Sequence, residues 1–166
     1  MAIREIRLFG DPVLNTAADP VEVFDERLHR LVGDMLEIMD AAGGVGLAAN
    51  QIGVTRRVFV FDCQGMRGHI VNPVWEPLGE AQQTGTEGCL SVPGVRGEVT
   101  RHNTVIARGV DMHGRPLTLR GTGLLARCIQ HETDHLDGVV FTARMAPGQR
   151  KAALSAIDQA DWKKEN

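Results

Sequence analysis

Gln130-His131-Glu132-Thr133-Asp134-His135-Leu136 sets two imidazoles four residues apart, with a carboxylate next to the first, and the reading of this 166-residue chain turns on it. Residues four apart lie one turn from each other on the same face of a helix, so both rings can reach a single metal ion. At roughly 100° per residue, Leu124, Cys128, His131, Glu132 and His135 share one sector, Leu125, Ile129 and Leu136 the next, and Gln130, Thr133, Asp134 and Asp137 the far side. The two histidines and Glu132 therefore face the interior. Burying them together without a metal or a charge partner would be costly. Thr122 is the expected N-cap of this helix and Gly138 its stop.

Other elements group around that helix. Asp25 is a second candidate N-cap, and Leu28, Leu31, Val32, Met35, Leu36 and Met39 recur at helical spacing until Gly43-Gly44 interrupts them. This predicts an amphipathic N-terminal helix of about four turns. Arg57 to Asp62 reads as a strand, and Ile70-Val71-Asn72-Pro73 as a short extended piece ended by proline. From Glu80 to Asp111 threonine, valine and glycine show no helical period, which predicts several antiparallel strands, with Asp111 to Arg115 as a hairpin turn. After Pro147, the residues Ala152, Leu154, Ile157 and Trp162 mark a last helix. Phe9-Gly10-Asp11-Pro12 and Asp19-Pro20 are turns in an irregular, anchored N-terminal arm. Strands concentrated between flanking helices predict an α+β fold, antiparallel sheets around the central metal-binding helix, over one domain spanning 1–166.

Composition excludes several classes of function. With 43% hydrophobic positions the chain can bury a core of its own. A net charge of −3 with 18 scattered basic residues gives no field for polyanions, so direct nucleic-acid binding is not expected. No run of about 18 apolar residues is present to span a bilayer, and Met-Ala-Ile-Arg-Glu does not open a secretory signal, so the expected location is cytoplasmic. Cys63, Cys89 and Cys128 form an odd set without a close pair, which favours free thiols or thiolate ligands over disulfides.

A catalytic metal needs a third protein ligand and an open position. The third histidine of an extended His-Glu-x-x-His-x-x-Gly-x-x-His motif is missing, since that place is Phe141. Cys128 faces the right way but lies roughly 7.5 Å along the axis from the metal height, and its side chain leans away, so it is expected to line a pocket. A carboxylate from the C-terminal helix, Asp158, Asp161 or Glu165, or the thiolate of Cys89 remains. Cys89 by itself reads equally as a small buried apolar residue.

Three segments carry a resemblance: Gly44-Val45-Gly46-Leu47-Ala48-Ala49-Asn50-Gln51, Glu87-Gly88-Cys89-Leu90-Ser91, and Gln130 to Leu136. In this order and spacing they resemble the three signature motifs of the peptide deformylases, and the likeness extends to Gly10-Asp11-Pro12-Val13-Leu14. The resemblance implies a mixed α+β fold and Fe2+, with Zn2+, Ni2+ or Co2+ as substitutes, held by Cys89, His131 and His135. The implied reaction is removal of the formyl group from the N-formylmethionine of new polypeptides. N-formylmethionyl peptides are then the partners, possession of a C-terminal helix suggests docking on the ribosome, and no membrane is involved. Glu132 is implied as the base that takes a proton from a metal-activated water. The Gln51 amide and the Leu90 N–H are implied as oxyanion donors.

By the same likeness, the backbone at Gly44, Val45 and Gly46 pairs with peptide in β fashion. Val45, Leu124 and Cys128 line an apolar slot for the methionine side chain. Arg96 either contacts the substrate or is a solvated loop arginine. Arg127 departs from the apolar residue that can stand there, and either borders the pocket or turns outward to Asp134. The other readings are a metallopeptidase using the same helix, a silent metal-binding module, which an intact Glu132 disfavours, and a Cys89 nucleophile, which would leave His135 and Glu132 without roles.

Overall fold

A computed structural model describes residues 4–164. The Asp25 carboxylate accepts a hydrogen bond from the Leu28 N–H (3.1 Å) and opens α1 (Glu26–Ala42), which Gly43 closes at φ 70°, a left-handed conformation cheap for glycine. With 17 residues the helix makes nearly five turns, slightly more than its apolar period suggested. Its buried stripe of Leu28, Leu31, Val32, Met35 and Met39 packs on one face of an antiparallel sheet.

That sheet has the order β1 (Gly46–Ala48), β2 (Val58–Cys63), β3 (Met66–Pro77), β6 (Thr104–Val110), β7 (Pro116–Thr122). Between β3 and β6 the chain leaves it to form a separate ribbon of β4 (Gln82–Glu87) and β5 (Gly97–His102). Side chains alternate across a strand, and β2 uses both faces. Val58 and Val60 meet α1, while Phe59, Phe61 and Cys63 meet α2 (Leu124–Leu136). The fold is α+β, with the sheet between two helices and the ribbon closing over the far side of α2. A third cluster of Leu14, Val92, Val95, Phe141, Met145 and Ile157 fills the space under α3 (Pro147–Gln159). No helix among the described residues is long and apolar enough to cross a membrane.

Four local expectations are corrected. The N-cap of α2 is Gly123, at φ 59° and ψ −126° without a side-chain bond, because β7 passes into the helix through this single residue; Thr122 instead ends β7, its hydroxyl on Asn103 O (3.2 Å). Pro73 does not end a strand: β3 continues through it at a register shift between Val71 and Val74, where the ladder bond that proline cannot make is not needed. Asn72, at φ 53°, fixes this bulge by accepting from the Val21 N–H (2.8 Å) and donating to the Val21 carbonyl (3.0 Å). The last helix is broken at Ala160 into α3 and α4 (Asp161–Lys164), and Ala153 rather than Ala152 turns inward.

The far side of α2 is the fourth. Eleven of its thirteen residues are buried, among them Gln130, Thr133 and Asp134, while Leu124 at the first turn is 44% exposed. Since α2 is the central support, Ile129→Ala, at a fully buried position, is expected to cost about 2–5 kcal/mol of unfolding free energy. A lowered urea midpoint at unchanged slope is the check.

Candidate active site

The i, i+4 spacing on α2 brings His131 and His135 edge to face, ring centroids 5.0 Å apart. The segment leaving β4 lays Cys89 beside them, with Sγ 3.3 Å from His135 Nε2. One ligating atom from each of Cys89, His131 and His135 lies within 4.8 Å of the others. Asp158 and Asp161 are exposed and outside this group, and Glu165 lies outside the described residues. His131 Nδ1 is hydrogen-bonded to Glu87 Oε1 (2.8 Å), which leaves Nε2 for the cluster.

Glu132 shares the cavity but not the cluster. Its Oε1 is buried with no partner among the described residues. A Cβ placed on Gly46 would fall 2.5 Å from Glu132 Oε2 and 2.9 Å from Cys128 Sγ, so only glycine lets β1 approach this closely. Burial pushes the Glu132 carboxyl up to about 7, with His131 opposing and Glu87 adding to the rise. Burial disfavours a cation on His131 too, yet Glu132 and the hydrogen bonds with Cys89 and Glu87 outweigh it and raise its pKa well above the usual imidazole range. For His135, burial and the neighbouring His131 keep the ring neutral. The cavity therefore concentrates negative potential on borderline-soft donors, with an unpaired carboxylate oxygen beside them. This donor set fits a divalent transition metal with an open position.

Gln51 is buried, at 1% exposed. Its Oε1 accepts from the Ala48 N–H (2.9 Å), and this turns Nε2 toward Ser91 Oγ (3.1 Å) and Cys89 Sγ (3.5 Å). Leu90 follows Cys89 at the cavity wall, and its N–H makes no hydrogen bond within the described residues. The cavity has a volume of about 540 Å3 and is lined by Gly44, Val45, Gly46, Arg96, Leu124 and Cys128, together with Glu132 and Arg127. Val45 (47% exposed) and Leu124 stand at the mouth, and Cys128 is buried with Sγ 3.7 Å from Val45 O. Because β1 ends the strand order, its outer edge is not paired within the sheet. Arg96 is exposed at the rim and forms no ion pair among the described residues.

Arg127 borders the cavity but does not turn to Asp134. Its Nη1 donates to Glu87 Oε2 (2.6 Å), while Asp134 is held by Arg101 Nη1 (2.6 Å) and Arg144 Nη2 (2.9 Å). Sequence reasoning assigned no role to Glu87, Ser91, Arg101 or Arg144, and named Asp134 only as a candidate partner of Arg127. Glu87 is 4% exposed; burial works against its charge, but the hydrogen bonds from His131 and Arg101 hold its carboxyl well below the usual range. A signal was available, since Glu87 and Cys89 are two apart in an extended segment and so share a side.

The sequence profile described as polypeptide deformylase matches residues 3–151. The chain is 60% identical over 166 residues to peptide deformylase 1 of Corynebacterium efficiens, with 98% of each chain covered. It is 56% identical over 162 residues to the peptide deformylase of Acidothermus cellulolyticus, covering 98% of this chain and 89% of that one. The crystal structure of peptide deformylase from Thermus thermophilus superposes with a TM-score of 0.90 at 41% identity, over 99% of this chain and 100% of that one. With a profile spanning most of its length and relatives this similar end to end, the chain belongs to the polypeptide deformylase family.

Proposed function

We propose a residue-level assignment for the reaction of this family, hydrolysis of the N-formyl group from the N-terminal formylmethionine of new polypeptides with release of formate. The observation that carries it is the buried Glu132 oxygen, unpartnered among the described residues, next to the convergent Cys89, His131 and His135 donors. Those three residues would hold Fe2+, with Zn2+, Ni2+ or Co2+ able to replace it, since one thiolate and two imidazoles suit all four. When bound, the metal supplies Lewis acidity, which makes a water acidic near neutral pH and polarises the formyl carbonyl.

The remaining work falls to the chain. Glu132 takes the proton from the attacking water and returns it to the leaving amine. The Gln51 amide, locked in orientation by Ala48, and the Leu90 N–H, which makes no hydrogen bond among the described residues, donate to the developing oxyanion. The outer edge of β1 at Gly44, Val45 and Gly46 offers backbone groups to an extended peptide, and Val45, Leu124 and Cys128 receive the methionine side chain. Arg96, at the rim and without an ion pair among the described residues, meets the peptide beyond that residue. The chain works as one catalytic domain over 1–166, in the cytoplasm, on chains emerging from the ribosome.

Formate release from formyl-Met-Ala-Ser by anaerobically purified protein, with acetyl-Met-Ala-Ser as control, tests the assignment. Rapid release from the formyl peptide alone is expected; cleavage of internal peptide bonds instead would make the site that of a metallopeptidase. Gly46→Ala should lower kcat/KM by about 100-fold, because its methyl group displaces the Glu132 carboxylate. Metal content measured on the same sample should be unchanged.

A further inference from the structure

We propose that Arg127 is a positioning residue for His131, acting through Glu87. The inference rests on the assignment of His131 as a metal ligand. Arg127 lies one turn before His131 on α2, and its guanidinium folds back along the cavity wall instead of entering the cavity. Its Nη1 donates to Glu87 Oε2 (2.6 Å) and to the Val99 carbonyl (2.9 Å), and Nη2 reaches Gln83 Oε1 (3.3 Å).

Glu87 is saturated by this arrangement. Oε1 accepts from His131 Nδ1 (2.8 Å) and Arg101 Nη2 (3.0 Å), and Oε2 from Arg101 Nε (2.9 Å) and Arg127 Nη1. A carboxylate offers about four lone-pair directions, so each is taken. The donors differ in what secures them. Arg101 is tied to Asp134, itself clasped by Arg144, so that arm is anchored outside the cavity. Arg127 alone among the described donors to Glu87, apart from His131 itself, lines the cavity. It covers Oε2 where water filling the cavity would otherwise reach the carboxylate and compete with His131 for it.

A ligating histidine is fixed in ring orientation by the acceptor on its other nitrogen, and loss of such support typically costs about 10–100-fold in metal affinity. Position 127 is thus occupied by a side chain that shields the orienting carboxylate. A purely structural tie between α2 and the β4–β5 ribbon would lower stability and leave the metal unaffected.

The test compares wild type, Arg127→Met and Arg127→Lys by Co2+ dissociation constant, measured in competition with a chromophoric chelator, and by the visible spectrum of the cobalt protein. Arg127→Met should bind Co2+ about 10-fold more weakly, with altered ligand-field bands. Its kcat should fall while KM for formyl-Met and formyl-Leu peptides stays within about twofold. Arg127→Lys, which keeps a cation for Oε2, should recover most of the affinity; if Arg127→Met fails to fold, Arg127→Gln, which removes the charge but keeps a polar group there, is measured in its place and should show the same weakening. Unchanged affinity and spectrum in the folded variant that lacks the charge overturn the proposal, as does a KM change that follows the peptide side chain at constant affinity. Wild type that binds cobalt but releases no formate overturns the assigned reaction while the affinity comparison still stands; wild type that binds no cobalt overturns the ligand assignment and this proposal with it.

Discussion

Metal-loaded Glu132→Ala protein is expected to release formate from formyl-Met-Ala-Ser about 10^3–10^4-fold more slowly than wild type, at unchanged metal content. The carboxylate is outside the ligand group, so removing it leaves Cys89, His131 and His135 in place. Burial also lifts the Glu132 carboxyl above the usual carboxylate range, the direction that suits a group which must both accept a proton and give it back in one turnover. Both proton transfers fail without it, and no other titratable side chain takes its place: Glu87 is committed to His131 and two arginines. Glu132→Asp draws the carboxylate back by one methylene, and a misplacement of that order should cost about 100-fold. Formate assay and metal analysis on one preparation decide it. Loss of metal in step with activity would make Glu132 a support for the ligands, and retained activity would remove it from the mechanism.

What was legible in the sequence is what depends on near neighbours. The i, i+4 spacing of His131 and His135, the Asp25 cap and the stripe on α1 are local patterns, and the structure keeps them. The continuation of β3 through Pro73 was not local. It depends on Asn72 reaching Val21, 51 residues away, and nothing near the proline announces that. The far side of α2 was misread for the same reason. A polar side chain is exposed by default, and Asp134 is buried only because Arg101 on β5 and Arg144 after α2 arrive from other elements.

The site divides along the same line. The spacing of His131, Glu132 and His135 could be read directly, whereas Cys89 needed its Glu-Gly-Cys-Leu-Ser neighbours and the family likeness. Gln51 was named by that likeness, but its buried position and its lock on Ala48 came only with the fold. Arg127 was visible as a departure whose direction was undecided between the cavity and Asp134. Helical angle alone could not choose, because the partner that attracts it, Glu87, lies 40 residues away in sequence.

Removal of the metal should abolish formate release and reloading should restore it, whereas Cys89→Ala should be inactive under both conditions. The geometry makes this comparison necessary. Cys89 Sγ lies 3.3 Å from His135 Nε2, a separation that a thiol nucleophile and its histidine base would also show. A thiol hydrolase survives a chelator, because its nucleophile carries its own electron pair; a metal-dependent one does not. The second histidine weighs against the thiol reading, since a cysteine–histidine pair has no use for His131 brought within the same 4.8 Å. Cys89→Ala removes the soft anionic ligand and leaves two imidazoles, so affinity falls and the charge balance of the site changes with it. Circular dichroism should match wild type, because the half-buried Cys89 is not among the fully buried side chains of the core. If the restored protein carries Fe2+, air should inactivate it by oxidation at the thiolate-ligated site, whereas the Zn2+ or Ni2+ form should persist. Activity that survives complete chelation would return Cys89 to the role of nucleophile and leave His131 and Glu132 to be explained anew.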